Sequence, residues 1–279
     1  MIEEITQNGQ IVQVRARTLG VNAYLLIYDE YLIVVDSLLL PSDSQELCRI
    51  AMSYQKPIRY LINTHYHSDH CIGNRYIKQP ETIQINHEDY WATIVNERSM
   101  INPRKSRPVD HKRLTQADLT IRGEYRELEN LVILPTPGHS ADSICLYLSE
   151  QKILIAGDTL ISNTSESFNL PYFYWGNSVD LISSLHTILE LEICTIYSGH
   201  GYPVTKEKAE RDLRYLNNLS ARFKELYHSG ATSLELVEKI SISDCLESCE
   251  RVAVKSVHEL NIRGLIREFE KGEMTNKKK

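Results

Sequence analysis

Short apolar runs rich in β-branched residues, broken by turn residues, dominate the first two thirds of the chain. Residues 21–28 and 31–36 flank Asp29-Glu30, the pattern of two strands joined by a two-residue hairpin. The same texture predicts strands at 58–63, 82–86, 131–134, 143–148, 152–156 and 195–198. Between them, Pro41 and Ser42 open a helix that runs to about residue 53, and 179–189 is a second.

From Lys206 onward the apolar positions change to helical spacing. A long charged amphipathic helix is predicted over 206–229, a shorter one over 233–240, and a third over 250–271. Gly230 and a Ser233 cap separate the first two. This change places a boundary near residue 204, with residues 1–204 as a catalytic domain. Residues 205–279 form a helical C-terminal appendage ending in a basic disordered stretch, Lys277, Lys278 and Lys279.

Composition narrows the partners rather than the fold. A chain of 279 residues with a formal net charge of -6 has no bulk attraction for nucleic acid or an anionic membrane. No run approaches the roughly 20 apolar residues of a membrane span, and the first ten residues lack the features of a secretory leader. A cytoplasmic location is expected. The cysteines at 48, 71, 145, 194, 245 and 249 show no CxxC pair. Most are expected to be buried, reduced thiols, with Cys71 near the chemistry described next but not part of it.

That chemistry begins at Asn63-Thr64-His65-Tyr66-His67-Ser68-Asp69-His70, directly after the strand at 58–63. His65 and His67 stand two apart, so in an extended segment both imidazoles emerge on one side and can grip one metal ion. Asp69 and His70 fall where the chain turns toward a helix. Three more segments each present one ligand-type side chain just past a strand: Pro137-Gly138-His139-Ser140, Gly157-Asp158-Thr159 and Ser198-Gly199-His200-Gly201.

The order HxHxDH, PGHS, GDT, SGHG over residues 20–204 resembles the metallo-β-lactamase superfamily. The resemblance implies an α+β fold, a four-layer αββα sandwich with metals at one edge of two sheets. It also implies that one metal takes His65, His67 and His139 and the other Asp69, His70 and His200, with Asp158 bridging. Two zinc ions are the expected cofactors, with iron or manganese also suited to these donors. Asp69 and Asp158 are the expected catalytic carboxylates. His70 and Asp158 look like the glyoxalase II, lactonase and ribonuclease Z branches; familiar β-lactamases carry cysteine where Asp158 stands, so penicillin hydrolysis is not expected.

The implied reaction is water-mediated cleavage of an ester-type bond, a thioester or lactone, in a small acyl substrate. Two alternatives share the motif: a phosphodiesterase or endoribonuclease, and an iron-dependent oxidoreductase similar to persulfide dioxygenases. No basic glutathione-binding signature is visible. Arg251, Lys255, Arg263, Arg267 and Lys271 form a basic stripe interleaved with Glu259, Glu268 and Glu270, which reads as a solvated helix face. The aromatic stretch 168–176 either walls a pocket, with Tyr172 or Tyr174 reaching the substrate, or packs on the core. Asp36 either orients the ligand loop, with Thr64, or simply closes its strand. Oligomeric state is not legible.

Overall fold

The computed structural model describes residues 1–94, 114–162, 170–246 and 252–276. Seven strands form one sheet in sequential order: β1 (Ile2–Asn8), β2 (Ile11–Ala16), β3 (Asn22–Ile27), β4 (Leu32–Val35), β5 (Ile58–Ile62), β6 (Ile83–His87) and β7 (Leu119–Ile121). The second sheet has the order β12 (Thr195–Ser198), β11 (Ile153–Gly157), β10 (Ile144–Leu148), β9 (Leu131–Pro135), β8 (Tyr125–Leu128). Each predicted strand is present within a residue or two of its expected bounds, and β3 and β4 form the expected hairpin.

Strands buried on both faces explain the continuous apolar runs, because side chains alternate between two cores. Tyr24, Leu26, Ile33, Val35 and Ile62 point between the sheets, meeting Ile133, Ile144, Leu146 and Ile155. Their neighbours Ala23, Leu25, Leu32, Val34 and Leu61 point outward to α1 (Pro41–Met52). On the far side Cys145, Leu154, Ala156 and Ile196 meet Leu181, Leu185 and Ile188 of α4 (Ser178–Glu190). The result is the expected four-layer αββα sandwich.

The C-terminal helices are α5 (Lys206–His228), α6 (Ser233–Lys239) and α7 (Val252–Asn276). Tyr215, Leu216, Leu219 and Phe223 of α5, Leu236 of α6, and Ile262 and Leu265 of α7 all join the apolar cluster that covers the second sheet and α4. They therefore share a core with the sandwich. The N-cap of α6 is Thr232 and not Ser233: its hydroxyl accepts from Glu235 N–H, and the Glu235 carboxylate accepts in return. The N-terminal hairpin β1–β2 turns on Gly9-Gln10, with Gly9 at φ 58°. It is an addition to the elements expected from the pattern.

No helix among the described residues is long and apolar enough to cross a membrane. Lys277–Lys279, Arg251, Cys249, Phe168 and Asn169 lie outside the described residues. Cys71, Cys145 and Cys245 are buried thiols, Cys48 is half-buried, and Cys194 is exposed.

Candidate metal centre

Four strand ends converge at one edge of the sandwich. After β5 the chain runs through His65 and His67 into the single turn α2 (Ser68–Cys71), which presents Asp69 and His70, and then into the short α3 (Asn74–Ile77). After β9, β11 and β12 come His139, Asp158 and His200. All seven expected residues fall into two groups capable of holding a metal ion. The first is His65, His67, His139 and Asp158; the second is Asp69, His70 and His200; the donor atoms within each group lie within 4.8 Å of one another.

The geometry inside the first group is that of lone pairs turned inward. His139 Nδ1–H donates to the Tyr172 carbonyl at 2.7 Å, so its Nε2 carries a lone pair. The Thr64 hydroxyl donates to Asp36 Oδ2 at 2.7 Å, so Thr64 Oγ1 accepts from His65 Nδ1–H at 3.1 Å, and His65 Nε2 is likewise bare. His67 Nδ1 stands 2.9 Å from His65 Nε2 and 3.0 Å from His139 Nε2. One proton on His67 can satisfy only one of those contacts. Three imidazole nitrogens at this spacing fit the face of a coordination tetrahedron.

Asp158 touches both groups. Its Oδ2 lies 3.5 Å from His139 Nε2, 3.8 Å from His65 Nε2 and 3.4 Å from His200 Nε2, while Oδ1 faces His70 Nε2 at 3.5 Å. His70 Nε2 and Asp158 Oδ1 are buried and have no hydrogen-bond partner among the described residues. Two buried electron-pair donors that face each other without a hydrogen-bond partner are costly unless a cation sits between them. The donor chemistry, the inward lone pairs and these orphans together fit a divalent cation pair.

The electrostatics follow. Burial, with His70 and His67 adding, drives His65 well below the usual imidazole range, and burial with His139 pushes His67 down to about 3. His139 is also lowered, chiefly by burial. These three are neutral donors at physiological pH. Burial opposes charge on His70 too, but the carboxylates of Asp158, Asp69 and Asp36 outweigh it and raise it to about 10. Asp158 is held well below the usual carboxylate range: burial opposes its ionisation, and His200, His70 and His139 overcome that.

Outer partners hold four of the imidazoles in place: His65, His70, His139 and His200. Asp36, in the left-handed region at φ 60°, accepts from Thr64 N–H at 2.8 Å, the Thr64 hydroxyl and His70 Nδ1–H at 2.8 Å. Asp36 therefore orients the ligand loop and does more than close β4. Ser37 N–H and Asn63 Nδ2 donate to the His70 carbonyl, each at 2.9 Å. His200 Nδ1–H donates to the carbonyl of Leu19, another residue at positive φ. Beside it Gly199 leaves room for Asp158: a Cβ there would fall 2.0 Å from Asp158 Oδ1.

The two tyrosines separate. Tyr172 lies beside His139, with ring centroids 5.8 Å apart. Tyr174 instead packs against Trp175 and under the Arg267 guanidinium. Arg267 also donates to the Gly176 carbonyl, and Glu268 accepts from the Ser178 amide and hydroxyl. The expected solvated stripe on α7 is thus partly turned inward, because those two side chains dock the 171–178 loop. Cys71 stays out of the centre, its thiol donating to the Tyr66 carbonyl.

A family model for the metallo-beta-lactamase superfamily matches residues 16–200. A hydroxyacylglutathione hydrolase of Pelagibacter ubique is 26% identical over 174 residues, covering 61% of this chain and 62% of that protein. A beta-lactamase-like protein 2 homolog of Caenorhabditis elegans is 25% identical over 204 residues, covering 68% of this chain and 60% of its own. The chain thus matches less than two thirds of the length of these relatives. Among solved structures, the sec-alkylsulfatase Pisa1 from Pseudomonas sp. superposes with a TM-score of 0.71 at 14% identity, covering 95% of this chain and 49% of that one. The mono-zinc metallo-beta-lactamase FIM-1 from Pseudomonas aeruginosa superposes with a TM-score of 0.61 at 18% identity, covering 78% and 97%. At these identities the superpositions show the fold. With the family match over residues 16–200, which include all seven candidate ligands, the chain belongs to the metallo-beta-lactamase superfamily.

Proposed function

We propose that this chain is a binuclear metal-dependent hydrolase that uses water to cleave an ester-type bond, a thioester or lactone, in a small acyl substrate. The observation that carries the reading is Asp158 standing between two groups of donors, within 3.8 Å of a nitrogen in each. His65, His67 and His139 would hold one ion, Asp69, His70 and His200 the other, with Asp158 shared. Zinc suits this nitrogen-rich set. When bound, such ions supply Lewis acidity, acidifying a water toward neutral pH and polarising the scissile carbonyl.

The chain's own residues supply the rest. Asp36 and the carbonyls of Tyr172 and Leu19 fix three imidazoles against rotation, so the donors are preorganised before substrate arrives. His67, Asp69 and His200 are partly exposed while His65, His70 and His139 are buried, so substrate approaches over the first three. Asp69 Oδ2, 3.4 Å from His200 Nε2 and open to solvent, is placed to take the proton released by water and return it to an alkoxide leaving group. A thiolate leaving group needs no such return.

The half-buried Tyr172 ring, its centroid 5.8 Å from that of His139, gives the entrance an aromatic wall, which favours an acyl chain over a polyanion. The names of several relatives, hydroxyacylglutathione hydrolases, support a thioester. Inward commitment of Arg267 weakens the nuclease reading, since it removes a cation from the basic stripe. The test is a panel of thioester, lactone and phosphodiester substrates offered to zinc-loaded protein. Turnover of a thioester or lactone, lost on chelation and restored by zinc, is expected; cleavage confined to the phosphodiester would overturn the reading.

A further inference from the structure

The interior of α7 reaches the metal centre through one loop. Asn261, fully buried, holds both sides of a single peptide-bonded residue: its Nδ2 donates to the Pro171 carbonyl at 2.7 Å, and its Oδ1 accepts from Phe173 N–H at 3.3 Å. The residue between them is Tyr172, whose carbonyl accepts from His139 Nδ1–H at 2.7 Å. The amide cannot be turned over, since a carbonyl only accepts and a peptide N–H only donates.

Asn261 is itself locked. Its second Nδ2 hydrogen goes to Tyr215 Oη at 3.2 Å; the Tyr215 hydroxyl donates to His258 Nδ1 at 2.9 Å; and His258 Nε2–H donates to the Ile240 carbonyl at 3.1 Å. That chain ties α5, the end of α6 and α7 to the backbone at Tyr172.

We infer that Asn261 is a positioning residue for the metal centre: by clamping the 171–173 backbone it aims the Tyr172 carbonyl, and so His139, at the ion that His65 and His67 share. The inference rests on the metal-site reading proposed above. It gives the C-terminal helices a task in the chemistry, since no side chain of α7 need touch the substrate to act. It also explains why the donor set resolves into unequal supports: His70 is held by the Asp36 carboxylate just after β4, whereas His139 depends on a loop that another element must hold.

Removing a partner that orients a metal ligand weakens binding by about 10–100-fold, and acting through the backbone places Asn261 near the lower end of that range. Metal-free protein would be titrated with zinc against a chromophoric chelator, and the equivalent lost in His139→Ala identifies the site in question. Asn261→Asp keeps the shape and the acceptor for Phe173 N–H but sets a carboxylate oxygen against the Pro171 carbonyl. It is expected to weaken that equivalent by about tenfold and leave the other unchanged. Leu265→Ala, which removes apolar packing from the same helix but no hydrogen bond to the loop, is expected to lower thermal stability and leave both affinities in place.

Wild-type affinities in Asn261→Asp, or the same loss in Leu265→Ala at matched stability, would overturn the inference and leave the hydrolase reading standing. If Asn261→Asp does not fold, Asn261→Ser is read by the same criteria. A wild-type chain that takes up no zinc would overturn the metal-site reading and this inference together.

Discussion

The two halves of the metal centre are steadied by different means. On the first sheet the orienting group is a side chain: Asp36 gathers Thr64 and His70 with three hydrogen bonds. On the second half the orienting groups are carbonyls, Tyr172 O behind His139 and Leu19 O behind His200. Each half also has a buried aspartate of similar exposure, Asp36 at 1% and Asp142 at 1%. Asp36 has an imidazole and two Thr64 donors. Asp142, in the turn after His139, has the Ser140 hydroxyl on Oδ1 and an Oδ2 without a hydrogen-bond partner among the described residues, and burial raises its carboxyl to about 7. Equal burial therefore does not mean equal support: three donors are aimed at Asp36 and one hydroxyl at Asp142.

The largest effect is expected at the seam between the halves. Asp158→Ala removes the carboxylate that faces nitrogens of both donor groups, and His67→Ala opens the first group; each should bring hydrolysis to background with the fold retained. Near wild-type turnover in a metal-quantified sample of either would break the comparison at its root.

Next comes Asp36→Ala, which leaves His70 Nδ1–H and both Thr64 donors unpaired in the interior. Breaking such a buried pair costs about 3–5 kcal/mol, and losing the support of His70 weakens metal binding by about 10–100-fold. Chemical denaturation and zinc titration check the two halves of this expectation. A stable Asp36→Ala protein with unchanged affinity would mean that His70 needs no orienting partner.

The Asp142 carboxyl gives a pH dependence. Its folded value, about 7, lies above the ordinary 3.8, so between these pH values the folded chain keeps a proton that the unfolded chain releases. Its contribution to stability is therefore full below about pH 4 and is lost as pH rises through 7, a loss on the order of 4 kcal/mol. Asp142→Asn should flatten the fall in melting temperature between pH 5 and pH 8. An unchanged slope would show that Asp142 is ionised throughout.

Tyr172→Phe should do least. The carbonyl that holds His139 belongs to the backbone, so zinc affinity stays within about twofold of wild type, in contrast to Asp36→Ala. A loss comparable with that of Asp36→Ala would show that the phenol, and not the peptide, supports the site.

This contrast also explains how far the sequence could be read. Side chains able to coordinate a metal have types and spacings, so the candidates His65, His67, Asp69, His70, His139, Asp158 and His200 were all visible beside predicted strands. Most strands buried on both faces stood out as apolar runs, whereas β1, β7 and β8, shorter or more polar, did not, nor did β2, whose run is broken by the buried Gln13 and Arg15. Asp36 was visible as a strand-end aspartate, but its three bonds depend on a positive φ that only the fold reveals. The carbonyls of Tyr172 and Leu19 leave no trace in residue type, because every residue has one. Asn261, about ninety positions from the loop it clamps, was hidden for the same reason: its partners are backbone atoms brought near by helix packing.

The central claim is a shared pair of metal ions, and elemental analysis of protein purified without added metal, alongside thioester and lactone turnover, tests it most directly. The account predicts about two divalent ions per chain, with hydrolysis that rises and falls with their occupancy. One iron per chain accompanied by oxygen uptake, or hydrolysis undiminished after complete removal of metal, would contradict it.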